Sequence, residues 1–92
     1  MAYTESGVRA TILGIIRQLA PDAEGFPSEG PAHLVNDLGY HSLALLELAF
    51  AIEDDFDLPP IDEEAGRKIA TSDDVIAYVV GQLRQQNELV AG

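Results

Sequence analysis

Four segments of the chain carry apolar residues at helical spacing, and none shows a convincing strand alternation. In the first, Val8, Ile12, Ile15, Ile16 and Leu19 share one side, which predicts a helix from about Thr4 to Leu19. Thr4 or Ser6 can cap its start, and Pro21 stops it. The stretch from Pro21 to His41 is broken by Gly25, Pro27, Gly30, Pro31 and Gly39 and predicts a long surface loop. Phe26, Leu34, Val35 and Leu38 are apolar pins that can anchor it. A second helix is expected from about Ser42 to Asp57, ended by Leu58-Pro59-Pro60. A short third helix opens at Asp62 as its N-cap, with Glu63 and Glu64 in the first turn, where the helix dipole favours acids. Thr71 or Ser72 caps a fourth helix through about Gln86, with Val75, Ile76, Val79 and Leu83 on one stripe. The tail from about Asn87 to Gly92 is expected to fray. The expected fold is all-α: a four-helix bundle with a long loop between helices one and two, in a single domain over residues 1–92.

The second helix holds most of the information. Leu45, Leu48, Ala49, Ile52 and Phe56 fall on one face, enough to serve as the core face of a small bundle. Leu43, Leu46 and Phe50 fall together on the opposite face, interleaved with Glu47, Glu53, Asp54 and Asp57. A helix buried on both sides would explain the apolar residues. It would also strand several carboxylates away from water, which unpaired acids do not tolerate. The expectation is therefore an exposed apolar strip in an acidic frame, the mark of a partner-binding surface.

Composition narrows the partners. Ninety-two residues make room for one small domain, and 47% hydrophobic against 23% charged residues is too apolar for a disordered chain. Sixteen acids against five bases give a net charge of −11, which argues against nucleic acid or an anionic membrane as partner and for a basic protein surface. The chain has no cysteine, so it can offer neither a disulfide, nor a thiolate metal site, nor a thiol of its own. One Lys beside four Arg, with abundant Ala and Gly, points to a GC-rich bacterial genome. Met1 to Gly7 has no basic leader and no long apolar stretch follows it, so the chain reads as mature, soluble, cytoplasmic, free-standing and monomeric.

The densest motif is Asp37-Leu38-Gly39-Tyr40-His41-Ser42-Leu43, which puts a serine hydroxyl at the mouth of the second helix. Ser42 can be a plain N-cap, the commonest task for a serine there. A phosphate attached to it would equally sit beside unpaired N–H groups and the positive end of the helix dipole. These two readings stay even on physical grounds. A hydrolase built on Ser42 with His41 or His33 is disfavoured, since neighbours at a helix start do not face each other and no nucleophile-elbow pattern surrounds the serine. Nine of the sixteen acids lie between Glu53 and Asp74, but without the alternating ligands, glycine and final Glu of a calcium loop, so a solvated acidic face is expected and no metal site. A helical interaction module with no prosthetic group would share the acidic strip and have no use for Ser42.

Leu38-Gly39-Tyr40-His41-Ser42-Leu43, followed by Leu46-Glu47-Leu48 and Ile52-Glu53-Asp54-Asp55-Phe56, resembles the acyl carrier protein family of phosphopantetheine-binding carriers. The likeness continues through Ile61-Asp62-Glu63-Glu64-Ala65, Ile69-Ala70-Thr71 and Val75-Ile76-Ala77-Tyr78-Val79, and so spans Leu34 to about Leu83. The resemblance implies a non-enzymatic carrier whose Ser42 receives 4′-phosphopantetheine from coenzyme A through a phosphopantetheinyl transferase. It implies no catalytic residue, and a docking surface made of Leu43, Leu46, Glu47, Phe50, Glu53, Asp54 and Asp57. Two positions depart from the family pattern. His41 stands where an Asp is usual and is similar to peptidyl carriers of nonribosomal peptide synthesis; Ala44 stands where fatty-acid carriers often present an acid. Together they imply a dedicated carrier of acyl or aminoacyl thioesters in bacterial polyketide, antibiotic or related natural-product biosynthesis. Its partners would be an acyltransferase or adenylating loading enzyme and a ketosynthase or other synthase enzyme.

Overall fold

Each α-helix among the described residues starts where a side chain can take up an amide hydrogen that the first turn leaves free. The computed structural model describes residues 3–90, Glu63 by its backbone alone. Its helices are α1 (Glu5–Leu19), α2 (Ser42–Phe56), α3 (Glu63–Arg67) and α4 (Ser72–Gln85). Thr4 Oγ1 accepts from Gly7 N at 3.1 Å, which makes Thr4 and not Ser6 the cap of α1. Asp62 Oδ1 accepts from Ala65 N at 2.7 Å and opens α3. At α4 the pair is reciprocal: Asp74 N donates to Thr71 Oγ1, and Thr71 N donates back to the Asp74 carboxylate. That carboxylate also accepts from Ala70 N, and these backbone bonds hold Asp74 below the usual carboxylate range. The end of α2 turns on Asp57, which takes a left-handed conformation at φ 52° and returns its N–H to the Glu53 carbonyl.

The three long helices enclose the core, with α1 packed on both α2 and α4. Val8, Ile12 and Ile16 of α1 meet Leu48, Ile52 and Phe56 of α2 and Val75, Val79 and Leu83 of α4, all buried. The predicted core face of α2 is displaced by part of a turn. Ala44, Leu48, Ile52 and Phe56 are its buried line, whereas Leu45 and Ala49 are half-buried and flank an internal cavity.

The Pro21–His41 segment crosses the bundle as a loop, with one turn of 3₁₀ helix at Ala23–Gly25. It is stitched to the start of α4: Leu34 N donates to Ala70 O, Ser72 N donates to Ala32 O, and the buried Ser72 Oγ accepts from Ala32 N at 3.0 Å. Of its four predicted pins, Leu34 and Leu38 are buried and Phe26 is half-buried under the Arg17 guanidinium. Val35 points outward instead, because residues 33–38 form a helix-like turn that places Leu34 and Leu38 on the same side. Two glycines are structural requirements here. Gly39 sits at φ 72°, and a Cβ on Gly25 would run into the Asp37 carbonyl oxygen.

Tyr40 closes the loop from inside, its hydroxyl donating to the Ile16 carbonyl at 2.7 Å. Tyr40→Phe is expected to cost about 1–1.5 kcal/mol at pH 7 in urea unfolding. Burial also pushes the Tyr40 hydroxyl up to about 12. The unfolded chain releases that proton near pH 10, so the stability contributed by neutral Tyr40 is complete below about pH 10 and lost as pH rises toward 12. The wild type should therefore weaken more steeply than Tyr40→Phe over that window. Equal slopes would show that this hydroxyl is not buried.

In the tail expected to fray from about Asn87, the described residues run on to Val90 as follows. Asn87 turns left-handed at φ 58°, and β2 (Leu89–Val90) then pairs in parallel with β1 (Tyr3–Thr4). Tyr3 N donates to Glu88 O, and the Tyr3 ring lies 5.4 Å from that of Phe56. Met1, Ala2, Ala91 and Gly92 lie outside the described residues.

Candidate functional site

Ser42 is the first residue of α2, one position later than a cap. The capping role belongs to His41, whose Nδ1 accepts from Ala44 N across a long 3.5 Å, and whose carbonyl takes the first helical bond from Leu45 N at 2.8 Å. The Ser42 side chain is exposed and its hydroxyl has no hydrogen-bond partner among the described residues. The amides of Ser42 and Leu43 are likewise unpaired there, which leaves two donors and the positive end of a four-turn helix beside the hydroxyl.

Neither histidine forms a nucleophile–base pair with this serine. The Nδ1 of His41 is taken by the α2 backbone, and that of His33 by Asn36 N at 3.1 Å inside the loop turn. His33 is further held by its own amide on the Asp37 carboxylate at 2.8 Å. Among the described residues no group of three or more acids and histidines is placed to hold a metal ion, and no helix is long and apolar enough to cross a membrane.

The outer face of α2 runs away from Ser42 as an apolar strip. Leu43 is 60% exposed, Leu46 50% and Phe50 58%, values at which a large hydrophobic side chain contributes little to the core. Glu47, Asp54 and Asp57 stand exposed beside the strip. Glu53 differs, being half-buried with its Oε2 accepting from Ile61 N at 2.9 Å, so it anchors the α2–α3 connection as well as edging the strip. The helix contains no Lys or Arg to neutralise these acids. The bases with assigned contacts stand elsewhere: Arg9 on Asp73, Arg84 near Glu5, Lys68 near Glu64 and Arg17 on Phe26. One exposed apolar residue was not legible as part of a surface. Val35, 49% exposed, sits in the turn that leads into Ser42, and its signal is the Leu34–Leu38 spacing that turns it outward.

Several curated relatives of this chain are named acyl carrier protein. The chain is 40% identical over 65 residues to the acyl carrier protein of Bdellovibrio bacteriovorus, covering 71% of this chain and 80% of that protein. The acyl carrier protein of Wolinella succinogenes is also 40% identical over 65 residues, with 71% and 82% covered. That of Desulforapulum autotrophicum is 46% identical over 48 residues, with 52% and 61% covered. No family model matches the chain.

The chain belongs to the acyl carrier protein family. Members of this family are carriers and not catalysts. The helical architecture agrees with this membership. The exposed Ser42 stands beside the exposed apolar side chains Leu43, Leu46 and Phe50 of α2.

Proposed function

We propose that this protein carries acyl groups as thioesters on a 4′-phosphopantetheine arm joined to Ser42 Oγ. The observation that carries the proposal is the exposed Ser42 hydroxyl at the first position of α2, unpartnered among the described residues, with the amides of Ser42 and Leu43 likewise free beside it. Those two donors and the helix dipole fit a phosphodiester there. The arm supplies the thiol, which a chain without cysteine does not have. Attachment forms a bond from Ser42 Oγ to phosphorus and breaks the pyrophosphate of coenzyme A, releasing adenosine 3′,5′-bisphosphate. A phosphopantetheinyl transferase must take up the hydroxyl proton, since neither histidine of this chain is bonded to Oγ. The test is intact mass after incubation with coenzyme A and a broad-specificity transferase. One added arm is expected, and an unchanged mass would favour an interaction module without prosthetic group.

The finer reading is a dedicated cytoplasmic carrier for polyketide or related natural-product synthesis, supported by His41 and Ala44 at positions where fatty-acid carriers commonly bear acids. The same His41 supports a second reading, a free-standing peptidyl carrier loaded by an adenylating enzyme instead of an acyltransferase. Mass spectrometry of the protein isolated from its host separates them, because an aminoacyl thioester belongs to the second alone.

Partners are proposed to dock on Leu43, Leu46 and Phe50, within the frame of Glu47, Glu53, Asp54 and Asp57. Apolar contact supplies most of the binding energy, since exposed ion pairs contribute only about 0–1 kcal/mol each. The acids steer a basic surface toward Ser42, an effect screened over about 8 Å at physiological salt. Glu47→Lys and Asp54→Lys should therefore slow loading at low salt and flatten its salt dependence while leaving the melt unchanged. Leu46→Ala should weaken docking at every salt concentration. Unaltered loading of both charge reversals at low salt would move the docking surface off α2.

A further inference from the structure

The charge pattern of α2 should make its last turn fray. Glu53, Asp54 and Asp55 stand in that turn and Asp57 just beyond it, at the negative end of the helix dipole. Among the described residues, α1, α3 and α4 each place a base in the last turn, Arg17, Arg67 and Arg84, and α2 places none. Asp57 also takes a left-handed conformation, at φ 52°, that a glycine would adopt at less cost. The turn is closed on one carbonyl, with Asp57 N and Leu58 N both donating to Glu53 O.

The ladder of β1 and β2 lies against this end. The Tyr3 ring packs at 5.4 Å on that of Phe56, the last residue of the helix, and Tyr3 N donates to Glu88 O. The tail reaches that position because Asn87 turns left-handed and Glu88 N donates to Leu83 O at 2.8 Å. Tyr3, Gln86 and Glu88 line a cleft of about 90 Å³ together with Phe56 and Asp57, so the ladder and the helix end meet along one surface.

We infer that the β1–β2 ladder is a strap that keeps the last turn of α2 helical against its own charge. Tyr3 supplies a ring contact to the end of the helix, and β2 holds Tyr3 there from the other end of the chain. Opening the strap removes that contact and leaves repulsion, among the acids and with the helix dipole, to unwind the turn. The consequence is for partners, because Asp54 and Asp57 keep fixed positions relative to Leu46 and Phe50 only while the turn is helical. That consequence rests on the proposed docking face; the strap itself does not. Ser42 stands at the opposite end of the helix, out of the strap's reach.

The experiment is amide hydrogen exchange of the full chain in the wild type, Tyr3→Ala, Tyr3→Phe and Glu88→Pro. Tyr3→Ala opens the strap by removing the ring; Glu88→Pro opens it from the tail by removing the amide that donates to Leu83 O. The amides of Asp57 and Leu58 should exchange about tenfold faster in both opening variants. Leu45, whose amide closes the first turn at the other end of α2, should not change, and Tyr3→Phe should match the wild type. Adding Asp55→Arg to Tyr3→Ala should restore most of the protection, since it puts a cation at the negative end of the dipole. Unchanged exchange at Asp57 and Leu58 in either opening variant, equal acceleration at Leu45, or no recovery with Asp55→Arg would each overturn the inference. Transferase loading of Tyr3→Ala at low salt tests the docking reading separately. Slower loading beside faster exchange supports both; unchanged loading beside faster exchange supports the strap and removes Asp54 and Asp57 from the docking face.

Discussion

Ser42→Ala is expected to abolish the mass increase that coenzyme A and a transferase produce, with a thermal melt indistinguishable from the wild type. The two halves of this expectation have separate physical grounds. The hydroxyl makes no bond among the described residues, so its removal leaves no polar group unsatisfied there and no cavity. Capping survives because His41, and not Ser42, accepts the Ala44 amide. Alanine in the first turn is at least as compatible with a helix as serine, and the net change should stay within about 0.5 kcal/mol. The chain offers three other serines as controls. Ser72 is buried with its Oγ bonded to Ala32 N, whereas Ser6 and Ser28 are exposed. An increment that persists in Ser42→Ala and maps to Ser6 or Ser28 would place the attachment elsewhere and remove the basis for the α2 docking surface.

Helix starts are legible in this sequence because capping is a local transaction. Thr4, Asp62 and Thr71 each reach an amide three residues on, and no distant part of the fold is needed to know it. The two faces of α2 are legible for the same reason, since helical spacing alone separates Ile52 from Phe50. What the sequence hides is non-local. The β1–β2 ladder joins Tyr3 to Leu89 across nearly the whole chain, and two-residue strands are too short to show an alternation. Val35 reads as an anchor until the backbone of residues 33–38 is seen to close into a turn. The capping of α2 by His41 is hidden by propensity, because Ser42 is the better cap by type and loses the position to its neighbour.

The candidate site was legible as a residue and not as an environment. Ser42 stands out through the motif around it. That its hydroxyl is unbonded among the described residues, that Glu53 is partly committed to Ile61, and that a cavity begins at Leu45 are all consequences of packing. Leu45 and Ala49 show the difference clearly. Their spacing assigns them to the core, yet they are half-buried and line a cavity, which only the packing of the helices reveals.

Ile52→Ala is expected to destabilise the protein by about 2–5 kcal/mol, and Phe50→Ala, two residues away, by less than about 1 kcal/mol. Ile52 is 1% exposed and touches the existing cavity, so truncation adds to a void of about 110 Å³ instead of creating a small isolated one. A site already next to empty space has little to collapse against it, which places the loss toward the upper part of that range. Domains of this kind are stable by about 5–15 kcal/mol, and a chain of 92 residues with a thin core belongs near the lower end. Ile52→Ala should therefore show a measurable unfolded population without denaturant. Phe50 is 58% exposed, and its truncation removes surface that water already reaches. Its effect should appear in partner docking instead, as slower loading at unchanged stability. Urea titrations of both variants decide the matter: equal losses would mean that the outer face of α2 is packed and cannot be the surface that partners grip.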